Sequence, residues 1–131
     1  MRKVVGMKFR TLMLIKAAVC LVLGVFILVA PKFFYGLFGI TLEGASIVPA
    51  WEYGASLIGN SVLTWFARFA SESKGRRAII KGMTFYNALG FVAILIAVLS
   101  GWSNWLGWFA VVLYLFFAVG FGYFWRKPPV P

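Results

Sequence analysis

Few residues in this sequence could do acid–base, nucleophilic or metal chemistry. It contains no histidine, and its three acidic residues are Glu43, Glu52 and Glu72. We expect Glu72 at the opposite end of an apolar segment from the other two, which leaves no paired-carboxylate site. The single cysteine, Cys20, has no CxxC partner, and we expect it to be a small packing residue. The sequence therefore predicts a non-enzymatic protein with no metal and no cofactor.

The polar residues that remain of interest lie inside apolar segments. At about 100° per residue, Glu52, Ser56 and Asn60 fall on one helical stripe, and Asn87 lies near the middle of the next segment. Lipid disfavours small and polar residues, so such a stripe indicates a helix-packing surface. We predict that Glu52, Ser56, Asn60 and Asn87 form a polar interior in which Asn60 hydrogen-bonds Asn87. The functional alternative is that they bind a polar ligand or ion.

Four apolar segments position these residues, and each has about the 20 residues that a membrane-spanning helix needs. Hydrophobic residues make up 63% of the chain. The segments are residues 12–30, 51–69, 79–99 and 104–124. They leave only short connectors, so we expect one domain over residues 1–131. The predicted fold is all-α, a four-helix transmembrane bundle.

The basic residues are distributed very unevenly about these segments. The net charge is +10, and of the 13 Lys and Arg residues only Lys32 falls on the opposite side from the rest. Basic residues near helix ends stay in the cytoplasm, so we predict a multi-pass protein of the cytoplasmic membrane with both termini cytoplasmic. Such an arrangement argues against nucleic acid as a partner.

The basic residues around the connector between the second and third segments could do more than set topology. A cluster of this kind can bind anionic lipid headgroups. Its members are Arg68, Lys74, Arg76, Arg77 and Lys81. The simpler interpretation is that they determine topology alone.

The first segment carries a lysine and a small-residue face. Lys16 lies about one turn inside, and we expect its long stem to carry the ammonium back to the headgroups. An intramembrane ion pair is the alternative. Ala17, Cys20 and Gly24 recur at three- and four-residue spacing, which predicts close contact with another helix.

The connector after the first segment is unusually aromatic. Phe33, Phe34, Leu37 and Phe38 fall on one face of a short helix that begins at Pro31. We predict that this helix lies in the membrane interface as an anchor, and covering the mouth of a cavity is the alternative. We place Tyr53 in an aromatic belt at the same membrane surface.

Three stretches resemble a known group of membrane proteins. They are APKFFYGLFGI after the first segment, EYGASLIGNSVLTWFAR through the second, and RRAIIKGMTFYNALG at the start of the third. The chain is similar in layout to the DoxX-like group of small prokaryotic four-helix membrane proteins. This resemblance implies quinone-linked or redox-associated partners, and no catalytic residues carry over from it.

Together these features favour an accessory or assembly component that binds a partner membrane protein or membrane lipids. The alternative is an oligomeric transporter or channel for a small solute, with a pathway along Glu52, Ser56, Asn60 and Asn87. Proton-driven transport usually needs a titratable group near the membrane centre. The central polar residues here, Asn60 and Asn87, do not titrate.

Overall fold

The computed structural model of the protein describes residues 8–127, which are all-α with no strand. Five α-helices and one 3₁₀ turn, Gly44–Ser46, make up this part of the chain. The helices are α1 (Phe9–Val29), α2 (Pro31–Leu37), α3 (Ile47–Ala67), α4 (Lys74–Leu99) and α5 (Gly107–Arg126). The four long helices match the four predicted segments, and α2 matches the predicted short helix.

The boundaries of α3 and α4 differ from the predicted ones for local reasons. Helix α3 begins before Pro49, because a helix tolerates proline in its first turn, where the missing N–H needs no partner. Helix α4 begins at Lys74, because the Ser73 side chain accepts a hydrogen bond from the Arg76 backbone N–H. That cap satisfies one of the free N–H groups at the start of the helix.

Three helices, α1, α4 and α5, are long and apolar enough to cross a membrane. Helix α3 is as long as α1 at 21 residues. It is less apolar, because it carries Glu52, Ser56, Asn60, Ser61 and Thr64. Three of the four long helices therefore have the length and composition of membrane-spanning helices, and α3 has the length without the same apolar content.

The four long helices associate as two pairs, α1 with α3 and α4 with α5. The first pair crosses at two glycines. A Cβ on Gly24 would lie 3.0 Å from the Gly54 carbonyl oxygen, and a Cβ on Gly54 would lie 3.2 Å from the Gly24 oxygen. Ser61 donates a hydrogen bond of 2.8 Å to the Ala17 carbonyl oxygen close by. The predicted packing face of Ala17, Cys20 and Gly24 is confirmed, since all three are buried.

Packing differs between the two ends of the bundle. We call the end that holds Lys8, the α3–α4 loop and Lys127 the terminal end, and the end that holds α2 and the α4–α5 turn the connector end. A continuous core of buried apolar side chains fills the terminal half, and it includes Leu12, Met13, Ile80, Phe117, Phe121 and Phe124. The connector half has a smaller buried cluster made of Cys20, Ile27, Ala50 and Leu57.

Candidate functional site

A cavity of about 540 Å³ lies in the connector half, between the two helix pairs. This volume falls within the range of about 300–1,000 Å³ that is typical of small-molecule sites. All four long helices line it, through residues such as Leu23, Leu57, Ile94 and Leu113. The lining is almost entirely apolar, with polar groups at only a few positions.

The principal polar groups form the floor of the cavity, where the packed terminal half begins. The Lys16 ammonium donates a hydrogen bond of 3.0 Å to the side-chain oxygen of Asn87. Lys16 is 2% exposed and Asn87 is fully buried. The Asn87 amide nitrogen donates to the Met83 carbonyl oxygen at 2.7 Å, which fixes the orientation of the side chain. Asn87 therefore presents its oxygen to Lys16.

Aromatic rings surround the rest of the ammonium. The Lys16 nitrogen lies 4.6 Å from the centre of the Phe117 ring and 5.0 Å from that of Tyr86. Cation–π contacts of this kind stabilise a buried charge only in part. Within residues 8–127 the one ion pair joins Arg77 to Glu72, at 3.3 Å. No carboxylate of that part of the chain neutralises Lys16.

These contacts correct the expectation for Lys16. Its stem does not return the ammonium to the headgroups, and its predicted alternative, an ion pair, does not form within the described residues. The physical reason is that the long Lys16 side chain reaches across the space between the helix pairs to the buried amide oxygen of Asn87. Asn87 also does not bond Asn60, whose amide nitrogen donates to the Ser56 carbonyl oxygen at 2.9 Å.

Tyrosine side chains form a second polar group on the cavity wall. The hydroxyls of Tyr53 on α3 and Tyr114 on α5 hydrogen-bond each other across the two helix pairs. Tyr114 packs over Gly90, where a Cβ would overlap the ring. Tyr86 packs against Tyr114 with ring centres 6.3 Å apart. Tyr53 therefore faces the bundle interior, which corrects its expected place in an aromatic belt.

Helix α2 covers the connector end of the cavity. Phe34, Tyr35 and Phe38 line the cavity, whereas Phe33 and Leu37 are exposed. Burial raises the pKa of the Tyr35 phenol, which stays neutral at pH 7 and supplies no negative charge to the cavity. The four residues predicted to share one face are therefore divided between two surfaces. Phe34 and Phe38 cover the cavity, as in the alternative prediction, and Phe33 and Leu37 point away from it.

Hydrogen bonds join the end of α2 to the turn between α4 and α5. The Asn104 backbone N–H donates to the Phe38 carbonyl oxygen at 2.9 Å, and the Asn104 amide nitrogen donates to the Leu37 oxygen at 2.9 Å. These bonds tie a connector of the first helix pair to the turn of the second. They hold the cover in place above the cavity.

The cavity reaches the surface on the side formed by α4 and α5. Two of its lining residues, Ala93 on α4 and Phe109 on α5, are themselves exposed. The two helix pairs meet at only a few positions, mainly through α1 and α5. An apolar molecule could therefore reach the cavity from the side of the bundle.

The structure does not bring the four predicted polar residues together. Glu52 and Ser56 are exposed, Asn60 is half-buried, and only Asn87 is buried and lines the cavity. Helix α3 packs on α1 through a different face, which includes Gly54, Leu57, Ser61 and Thr64. The Ser61 and Thr64 hydroxyls donate to backbone carbonyls, which lets these polar residues be buried.

The predicted lipid-contact residues are divided between structural and exposed positions. Arg76 donates to the Ala70 carbonyl oxygen at 2.9 Å, and Arg77 donates to the Phe124 and Lys127 oxygens at 2.7 Å each. These bonds tie the α3–α4 loop and the end of α5 to the start of α4. The Arg68 guanidinium stacks on the Trp65 ring with 3.8 Å to its centre. Lys74 and Lys81 are exposed.

Comparison of the chain with protein-family models, with curated proteins and with solved structures found no match.

Proposed function

We propose that this protein is a four-helix integral membrane protein that binds a lipid-like molecule in the cavity between its two helix pairs. We propose further that it acts as a non-enzymatic accessory component. The observation that carries the proposal is the apolar cavity of about 540 Å³ with the buried Lys16–Asn87 pair at its floor. Mostly apolar walls with a few convergent polar groups are typical of ligand sites.

The size of the cavity supports a bound molecule. An apolar space of about 540 Å³ leaves the side chains that line it without contacts on one side, and a bound apolar molecule would supply them. A membrane supplies an apolar occupant readily, because Ala93 and Phe109 place the opening on the side of the bundle.

The proposed topology places both termini in the cytoplasm. Helices α1, α4 and α5 have the length and composition of spanning segments, and α3 runs antiparallel to α1 in the same pair. With α3 also crossing, the bundle has an even number of spans, and the basic residues at the terminal end lie in the cytoplasm. The cavity is then in the outer half of the membrane. The resemblance to the DoxX-like group stays a prediction.

An accessory role is supported by the exposed face of α3. Glu52, Ser56 and Gly59 are exposed along this helix, and a Cβ on Gly59 would meet no other atom within 4 Å. Small and polar residues on a lipid-facing surface favour helix–helix association. We propose that a membrane-protein partner or a second copy of the chain covers this face. The transport alternative is weaker, because only Asn87 of its four pathway residues is buried.

The proposal is tested by purifying the protein in native nanodiscs and identifying extracted lipids and co-purified proteins by mass spectrometry. We expect one amphiphile, enriched over the surrounding membrane lipid, near one molecule per chain. Ala93→Phe should reduce this amount by filling the opening, whereas Ala18→Phe on the exposed face of α1 should not. If the extracts of the wild type and of both variants have the lipid composition of the bulk membrane, ligand binding is contradicted.

A further inference from the structure

The floor of the cavity combines a buried cation with an incomplete set of partners. The Lys16 ammonium has three N–H donors, and Asn87 accepts one of them. Its other near neighbours are the Cys20 thiol, one turn further along α1, and the faces of Phe117 and Tyr86. Taking an ammonium out of water is costly unless a charge or several hydrogen-bond acceptors compensate it. The geometry leaves this compensation to a molecule in the cavity.

We infer that the cavity binds a long-chain fatty acid, whose carboxylate accepts hydrogen bonds from the Lys16 ammonium and whose alkyl chain fills the apolar space toward α2. This inference rests on the proposed ligand-binding function and specifies the ligand of that site.

The charge of the floor favours a carboxylate over larger anionic headgroups. Lys16 is the one cationic residue that lines the cavity within residues 8–127, so that a head with a single negative charge matches it. One N–H of the Asn87 amide donates to the Met83 carbonyl oxygen, and one of the Tyr53 and Tyr114 hydroxyls donates to the other. A phosphate monoester, which carries about −1.5 to −2 charges at pH 7, would leave negative charge unmatched.

The apolar wall of the cavity has a length that suits an alkyl chain. From Lys16 the α1 wall continues through Val19 and Leu23 to Ile27 below α2. The eleven steps of helical rise from Lys16 to Ile27 correspond to about 16 Å at 1.5 Å per residue. An extended chain that starts at Lys16 therefore meets apolar side chains along its length and ends beneath Phe34 and Phe38.

The test compares palmitate with hexadecanol, which has the same chain length but a neutral head. Purified protein in detergent is titrated with each probe, and the bound fraction is measured by native mass spectrometry. We expect the wild-type protein to bind palmitate at least tenfold more tightly than hexadecanol, because only the carboxylate makes charge-assisted hydrogen bonds. This comparison needs no variant.

Lys16→Met should weaken palmitate binding at least tenfold and leave hexadecanol binding unchanged. Lys8→Met is the matched control, since Lys8 is exposed immediately before α1 and does not line the cavity. It should bind both probes as the wild type does. A second measurement follows alkylation of Cys20, the single cysteine, by N-ethylmaleimide. Cys20 lines the cavity, so bound palmitate should slow the reaction in the wild type.

The outcomes separate the inference from the proposed function. Equal binding of palmitate and hexadecanol by the wild type would overturn the fatty-acid inference and leave ligand binding intact. The same conclusion follows if the Lys16→Met variant is shown by circular dichroism to be folded and keeps the full affinity for palmitate. If neither probe binds and neither slows Cys20 alkylation, the inference and the proposed function are both overturned.

Discussion

The Lys16 ammonium and the Asn87 side-chain oxygen lie 3.0 Å apart and join the two helix pairs at the floor of the cavity. Lys16 belongs to α1 of the first pair and Asn87 to α4 of the second. Above them, the Tyr53–Tyr114 hydrogen bond joins α3 to α5. These two polar contacts join the helix pairs across the cavity, and the bonds from Asn104 to α2 join them at its connector end, whereas the terminal half is held by its apolar core.

The Lys16–Asn87 contact should appear as an energetic coupling between the two residues. Asn87→Leu leaves the ammonium without its acceptor, and we expect a loss of about 1–3 kcal/mol in the free energy of unfolding. Lys16→Met should cost less, because it also removes the buried charge. Combined with Lys16→Met, Asn87→Leu should cost little more. Reversible unfolding in mixed micelles would measure a coupling of about 0.5–3 kcal/mol. Strictly additive losses would contradict a direct interaction.

A methyl group at Gly90 should disturb the tyrosine contact. The Tyr114 ring occupies the space that a Gly90 Cβ would need, so Gly90→Ala must displace the ring. We expect a loss of about 1–3 kcal/mol by overpacking. Gly82→Ala on the same helix is the control, since its Cβ meets nothing within 4 Å. That variant should be neutral or more stable by about 0.5–1 kcal/mol. The same midpoint of thermal unfolding for both variants would contradict the packing of the Tyr114 ring on Gly90.

The crossing of α1 and α3 should be equally sensitive to a methyl group. A Cβ on Gly54 would lie 3.0 Å from Leu28 Cγ and 3.1 Å from Ile27 Cγ2. Gly54→Ala should therefore separate the helices and lower the free energy of unfolding by about 1–3 kcal/mol. Gly59→Ala on the opposite, exposed face of α3 should have little effect. Equal losses in the two variants would contradict the packing of α3 on α1 through the face that holds Gly54.

The proposed topology can be read from cysteine labelling on intact cells. In a Cys20→Ala background, Thr41→Cys places a thiol in the α2–α3 connector and Ser71→Cys places one in the α3–α4 loop. A membrane-impermeant maleimide should label Thr41→Cys directly and Ser71→Cys only after the membrane is permeabilised. The reverse pattern would show that the bundle has the opposite orientation in the membrane. Labelling of both residues before permeabilisation would show that the two connectors lie on the same side.

Hydropathy was enough to predict α1, α4 and α5. Long apolar segments must be helical in lipid, because every backbone N–H and C=O then finds a partner within its own segment. The packing face of Ala17, Cys20 and Gly24 was also predictable, since small residues at helical spacing permit close approach. Both features can be predicted from the residues of a single segment, without knowing how the segments are arranged.

The polar interior was less predictable, because it depends on how segments face each other. Helix α3 carries two stripes of small and polar residues, one through Glu52 and Ser56 and one through Gly54 and Ser61. Composition does not say which stripe packs on α1, and the structure selects the second. Lys16 was expected at the headgroups because a single helix offers it no other partner. Only the position of α4 brings Asn87 within its reach.

The central claim, that a lipid-like molecule occupies the cavity between the helix pairs, is tested most directly by photo-crosslinking. A long-chain carboxylate with a diazirine near the chain end would be incorporated into membranes that contain the protein, and the modified residues would be identified by mass spectrometry. We predict adducts on cavity residues such as Leu23, Leu57 and Leu113. Adducts confined to exposed residues such as Val112 and Val119 of α5, unchanged in Ala93→Phe, would contradict the claim.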